Sequence, residues 1–145
     1  MTNDELNNTF EYVDLDTIDP SFKAIPQDVY TLVPIKAEIK EFTYKSGERK
    51  GQTGQRVAFQ LAVTDHPQYA GRRVFATLFA GDFAFRTCRR ISDTTGVPQN
   101  GSFRDWLAAY TESKAPFKIM VTTKPKADGS GDDNDVDWKT LAPAV

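Results

Sequence analysis

The stretch Val29-Tyr30-Thr31-Leu32-Val33-Pro34-Ile35-Lys36-Ala37-Glu38-Ile39-Lys40-Glu41-Phe42 sets the frame in which the rest of the chain is read. Successive strand side chains point to opposite faces, so apolar residues recurring every second position mark a half-buried strand. Val29, Thr31, Val33, Ile35, Ala37 and Ile39 fall on one face, and Lys36, Glu38 and Lys40 on the other. The stretch is longer than an average strand and contains Pro34, which cannot donate to a sheet ladder. A bulge or bend near Pro34 reconciles these facts. A long, bent first strand shared by two halves of a sheet suits a small barrel.

Downstream, Arg56 to Thr64 reads as a second strand with Val57, Phe59, Leu61 and Val63 inward. Asp65-His66-Pro67-Gln68 breaks it, and Arg72 to Phe79 forms a third. Gly81 to Gly96 has helical spacing, with Asp82 as its cap and Phe83, Cys88 and Ile91 as an apolar stripe. A second helix begins at Ser102, which forms a capping-box pattern with Asp105, and Phe103, Trp106, Leu107 and Tyr110 cluster along it. Alternation returns from Pro116 to Thr123 with Phe117, Ile119 and Val121 on one face, and Val136 to Leu141 is a last short strand carrying Trp138. Three strands, a helical insert and two strands predict a mainly β protein. The arrangement expected is a five-stranded OB-fold Greek-key barrel with its helical insert between strands 3 and 4.

Length and composition bound the reading. The 145 residues fit one domain, and 39% hydrophobic with 26% charged residues is a globular balance. Residues 1–26 read as an acidic extension and residues 27–145 as the barrel domain. Asp19-Pro20 and Ile25-Pro26 keep the extension out of helix, while Phe10, Tyr12, Val13, Leu15 and Ile18 give it side chains to dock on the body. No run approaches the ~20 apolar residues of a membrane span. Met-Thr-Asn-Asp-Glu lacks the basic and apolar regions of a signal peptide, so the expected location is the (host-cell) cytoplasm.

Cys88 is the only cysteine and His66 the only histidine. An intramolecular disulfide is thereby excluded, and most metal sites and nucleophile–base pairs lose their ingredients. No enzyme activity and no cofactor are expected, and both residues read as structural. Charge is unevenly spread: Met1 to Asp28 is −6, Val29 to Lys126 is +8 and Ala127 to Val145 is −4. A basic body between acidic ends suits a polyanion-binding domain, against the alternative of chance clustering on a solvated surface.

The residues that would contact a polyanion follow from this. Lys45, Arg49, Lys50 and Arg56 surround Gly47, Gly51 and Gly54 next to Tyr44, in the loop that lines the groove of OB barrels. The alternative is a solvated hairpin turn; a P-loop is excluded because its spacing is absent. Phe75 and Phe79 share a face with Arg73, and with Tyr44 and Trp138 they are the base-stacking candidates, each set against a core role. Of Arg72 and Arg73, adjacent on a strand, only one can face the groove. Lys118 adds to its floor, and Lys124 and Lys126 open a second basic loop that runs into an acidic one. Arg86, Arg89 and Arg90 share a helix face that reads as solvated. Asp128 to Asp137 fails as a calcium loop, because Asp133 and Lys139 stand where glycine and glutamate are needed. It reads instead as an acidic hairpin loop.

Three motifs, in order, carry a family resemblance. Ile25-Pro26-Gln27-Asp28-Val29-Tyr30 resembles an opening Leu-Pro-x-Gly-x-Tyr, with Asp28 in place of the glycine. Thr43-Tyr44-Lys45-Ser46-Gly47 followed by the strand Val57 to Val63 is similar to a Thr-Lys-Ser-Gly hairpin, and Tyr69-Ala70-Gly71-Arg72-Arg73-Val74-Phe75 to a Tyr-x-Gly-Arg-x-Phe strand entry. The family is that of small bacteriophage OB-fold single-stranded DNA-binding proteins of replication and recombination modules. The resemblance spans most of Ile25 to Phe79 and continues more loosely to Leu141. It implies sequence-independent binding of single-stranded DNA, with phage replication or recombination proteins as further partners through the acidic segments. Self-association into a homo-oligomer is left open. The competing expectation is a protein-interaction module on the same barrel, a phage accessory factor that ignores DNA. A small Mg²⁺-dependent nuclease is the weakest, since it needs carboxylates clustered near a basic groove and the aspartates here sit together in one flexible loop.

Overall fold

The protein is described by a computed structural model over residues 23–99, 101–129 and 131–144. The expected extension, residues 1–26, therefore lies mostly outside the described residues. In chain order the elements are β1 (Asp28–Thr43), β2 (Thr53–Thr64), β3 (Arg73–Phe79), α1 (Asp82–Thr95), α2 (Phe103–Ser113), β4 (Phe117–Pro125) and β5 (Asp132–Pro143). The strands form one five-stranded antiparallel sheet in the order β3-β2-β1-β4-β5. Its two edges, β3 and β5, come into contact with each other, which gives the sheet a barrel-like curl.

The first strand is bent as its proline requires. The ladder between β1 and β2 slips between Pro34 and Lys36, leaving Ile35 as the extra residue. The slip corrects the expected facing of the strand's first half. Tyr30, Leu32 and Pro34 are buried, while Val29 is half exposed; after the slip the inward positions become Ala37 and Ile39. β2 runs through without interruption, so Leu61 and Val63 oppose Pro34 and Leu32, and Val57 and Phe59 oppose Ile39 and Ala37. One added residue in β1 thus keeps both halves of the strand facing one core. The first half of β1 also pairs with β4, Asp28 opposite Val121 through Leu32 opposite Phe117.

The core fills from both sides of this frame. Phe117, Ile119 and Val121 of β4 are fully enclosed, and the ring of Phe59 packs against Trp138 at 5.4 Å and edge-on to Tyr110 at 6.3 Å. Each buried Phe, Leu or Ile contributes about 1.5–3 kcal/mol over its exposed state. Ile25 is also enclosed, and its backbone is clasped by Asn134, whose Oδ1 accepts from the Ile25 N–H at 2.9 Å and whose Nδ2 donates to the Ile25 carbonyl at 3.0 Å.

The helices pack on the sheet, α1 against β5 and α2 against β1. α1 buries Ala84, Thr87, Cys88, Ile91 and Ser92; Cys88 and Ile91 face inward as expected, while Phe83 is exposed and Ala84 takes its place on the inner stripe. Gly81 rather than Asp82 is the N-cap; Asp82 lies in the first turn and pairs with Arg86 at 3.1 Å. Gly96 ends the helix at φ 79°, a left-handed conformation that glycine adopts without strain. α2 has the expected capping box: Asp105 N–H donates to Ser102 Oγ at 3.2 Å, and Ser102 N–H to Asp105 Oδ2 at 3.3 Å. Trp106 and Tyr110 stack in parallel, and Trp106 Nε1 donates to Ser92 Oγ, tying the two helices together.

The acidic stretch near the C-terminus is mainly strand, which corrects its reading as a loop. β4 and β5 stay paired as far as Pro125 opposite Asp132, and Lys126 N–H closes the turn onto the Gly131 carbonyl at 2.8 Å. The reason is cross-strand charge. Lys124 pairs with Asp135 at 3.2 Å and Lys126 with Asp133 at 3.8 Å, so the lysines and aspartates face one another along the hairpin.

Candidate nucleic-acid interface

The outer face of β1, β2 and β3 is built by register. Residues directly opposite in antiparallel strands share a face. Lys40, Arg56 and Phe79 therefore form one row across the three strands, Glu38, Ala58 and Thr77 the next, and Lys36, Gln60 and Phe75 a third. Arg73 follows beside Ala62, and Phe42 opposite Gly54 extends the other end. With strands about 4.8 Å apart and about 3.4 Å per residue, the three rows cover roughly 10 Å by 14 Å.

This face leaves its rings in water. Phe75 is 65% exposed and Phe79 56%, while Val74, Ala76 and Leu78 between them are buried. Two exposed phenylalanines on a regular strand are not needed by the core, and small or polar neighbours (Ala58, Thr77, Gln60) leave flat space around them. Phe79 meets Phe42 edge-on at 5.2 Å, and Phe42 meets Tyr44 edge-on at 4.8 Å. The Arg49 guanidinium stands 5.8 Å from the Tyr44 ring centre. Aromatic surface thus continues from the sheet into the β1–β2 loop.

That loop is a defined turn. Tyr44 N–H donates to the Gln52 carbonyl and Gly51 N–H to the Tyr44 carbonyl, both at 2.9 Å, so the hairpin arms stay together up to the tip. Lys45, Arg49 and Lys50 project from it into solvent. On the sheet, Lys36 and Lys40 flank Glu38 at 2.8 and 3.7 Å, and the Lys36 hydrogen bond and charge hold the Glu38 carboxyl below the usual carboxylate range. Arg56 and Arg73 have no ion pair among the described residues.

The structure brings Tyr44, Lys45, Arg49, Lys50, Arg56, Arg73, Phe75 and Phe79 to this face and its loop. Arg72 is separated from it: the residue precedes β3, and its guanidinium donates to the Lys23 carbonyl. Lys118 and Lys124 point outward from β4, on the far side of β1 from β2 and β3, and Lys124 and Lys126 are engaged by aspartates. Trp138 is corrected to a core residue; it is 6% exposed and packed on Phe59, which leaves no free ring face for a base. Phe42, Lys36, Lys40 and Gln60 are the members that sequence reasoning left out. Their signal was parity, since Lys36, Lys40, Phe42 and Tyr44 alternate on one face once the slip at Ile35 is passed.

Other sites are thin. His66 Nδ1 accepts the Gln68 and Tyr69 N–H groups at 3.1 Å each, a turn-stabilising role. Arg86 and Arg89 pair with Asp82 and Asp93 on their own helix. Among the described residues no three His, Cys, Asp or Glu side chains gather as a metal site would require, and no helix is long and apolar enough to cross a membrane. No protein-family model and no curated protein matches the chain.

Proposed function

We propose that the protein is an OB-type barrel that binds single-stranded DNA without sequence preference, through the outer face of β1, β2 and β3 and the loop from Tyr44 to Gln52. The observation that carries this is the pair of solvent-exposed rings, Phe75 and Phe79, on a sheet face bearing Lys36, Lys40, Arg56 and Arg73. Aromatic faces stack bases of any identity at about 1–3 kcal/mol each, and the cations neutralise phosphates. The OB assignment is supported by β1 pairing with both β2 and β4, by contact between the β3 and β5 edges, and by helices falling between β3 and β4. A place in phage replication or recombination rests on the motif resemblance alone.

The test is fluorescence anisotropy of labelled oligo-dT and of a matching duplex at two salt concentrations. Tight, salt-sensitive binding to the single strand and weak binding to duplex is the expected result. Indifference to both at low salt rejects the proposal and turns the same exposed rings into a protein-docking surface.

A further inference from the structure

A cleft of about 400 Å³ opens between α1, the start of α2 and the end of the sheet where Arg56 and Leu78 lie. Ile39, Val57, Leu78 and Cys88 line its apolar side, and Arg56 and Arg104 its charged side. Phe85 also borders it and is 58% exposed, with Phe83 of the same helix 54% exposed. A site of this kind calls for a ligand that combines apolar side chains with negative charge. Among the described residues no carboxylate is paired with Arg56 or Arg104.

The chain itself contains such a ligand. Phe10-Glu11-Tyr12-Val13-Asp14-Leu15-Asp16-Thr17-Ile18-Asp19 interleaves apolar and acidic side chains, and no basic residue precedes Lys23. The chain enters the described body at a fixed place. The Lys23 carbonyl is held by Arg72 and the Ile25 backbone by Asn134, so the entry point lies at the start of β3. Leu78, in the cleft, lies at the other end of β3, about 20 Å further along the strand. The eleven residue-to-residue steps from Tyr12 to Lys23 can extend about 36–40 Å, so they span that distance with slack. A tethered ligand also binds at high effective concentration, so a modest apolar contact with two arginines suffices.

We propose that this cleft is the docking site of the chain's own Phe10–Asp19 stretch, bound in cis with its apolar side chains against Phe85 and Leu78 and its carboxylates toward Arg56 and Arg104. The proposal shares Arg56 with the DNA-binding face but does not rest on that reading, because neither the cleft nor its occupant needs a nucleic acid.

The test uses the full chain with a photoreactive benzophenone side chain in place of Phe85, an exposed position whose replacement leaves the core intact. Irradiation and trypsin digestion are expected to join the probe to the Met1–Lys23 peptide within one molecule. A second probe at Gln55, also exposed and lining the cleft, should capture the same peptide. In a Tyr12→Ser, Leu15→Ser variant of the full chain, whose changes lie outside the described residues, both cross-links should be lost. Cross-links only to other elements, only between molecules, or unchanged in the double variant overturn the proposal, as does the absence of any cross-link.

Discussion

Gly54 lies directly opposite Phe42 in the β1–β2 ladder, and a Cβ added to it would stand 3.0 Å from the Phe42 ring and 3.1 Å from that of Tyr44. The bare backbone at Gly54 is therefore what lets the two rings close over β2, with Phe42 reaching Phe79. Because the crowded atoms are ring edges on the outer face, they can swing aside. Gly54→Ala should thus leave the fold intact, with a stability change within about 1 kcal/mol, yet displace Phe42 and Tyr44. Weaker oligo-dT binding with unchanged Tm would show that the aromatic surface works as a unit. Unchanged binding would mean that Phe42 and Tyr44 take no part.

Phe75→Ala and Phe79→Ala separate binding from stability most cleanly. Both rings are over half exposed, so truncation should shift stability by no more than about 0.5 kcal/mol. If each stacks one base, its loss should weaken single-strand binding by about 1–3 kcal/mol, roughly 5- to 150-fold. Phe59→Ala is the contrasting control. Its ring is 1% exposed, and its removal should cost about 3–5 kcal/mol in a denaturant titration.

The salt dependence of binding counts phosphate contacts. Arg73 and Lys36 lie on the proposed face and Lys124 on the β4–β5 hairpin, where Asp135 holds it at 3.2 Å. Arg73→Gln and Lys36→Gln should each lower the slope of log K against log salt by about 0.7 if each neutralises one phosphate of a single strand. Lys124→Gln should leave the slope unchanged. A reversed pattern would move the DNA to the β4–β5 side of the barrel.

How far the sequence could be read is clearest in β1. Its length, its proline and the bulge are all visible in Val29 to Phe42. The facing of its first half is not, because Val29, Val33 and Ile35 are as apolar as Tyr30, Leu32 and Pro34. Only the partner strand decides between them, through Leu61 and Val63. In α1 the choice of Ala84 over Phe83 for the inner face is likewise tertiary. β5 is underestimated because aspartates disfavour strands, an effect reversed here by lysines across the ladder. For the candidate site, the alternation of Arg73, Phe75 and Phe79 was legible locally. Its continuation through Gln60, Arg56, Lys40 and Phe42 depends on pairing register, which no single strand encodes.

The buried hydroxyl of Tyr110 gives a test of the core. The residue is fully enclosed, and among the described residues its Oη has no hydrogen-bond partner. Burying such a group costs about 1–3 kcal/mol, so Tyr110→Phe should be neutral or raise Tm. Tyr30→Phe should do the opposite by about 1 kcal/mol, because Tyr30 Oη donates to the Pro26 carbonyl at 2.7 Å. Thermal melts of the two variants side by side provide the check, and a clear loss in Tyr110→Phe would reveal a partner for that hydroxyl.

Cys88 supplies a pH signature of the intact fold. Burial pushes its thiol from an ordinary 9.0 up to about 12, because the thiolate would lose its solvation against α1 and the sheet. The neutral thiol is thus favoured in the folded chain, while the unfolded chain releases its proton near the ordinary value. Below pH 9 both states are protonated and the group is indifferent. Between pH 9 and about 12 the unfolded state binds fewer protons, so stability falls as pH rises through that window. Urea titrations of the protein and of Cys88→Ala across this range should show a steeper alkaline loss when the thiol is present. Native protein at pH 8 should also react far more slowly with a thiol reagent than urea-unfolded protein does. Equal slopes together with rapid native labelling would place Cys88 at a solvent-open position in the cleft rather than under α1.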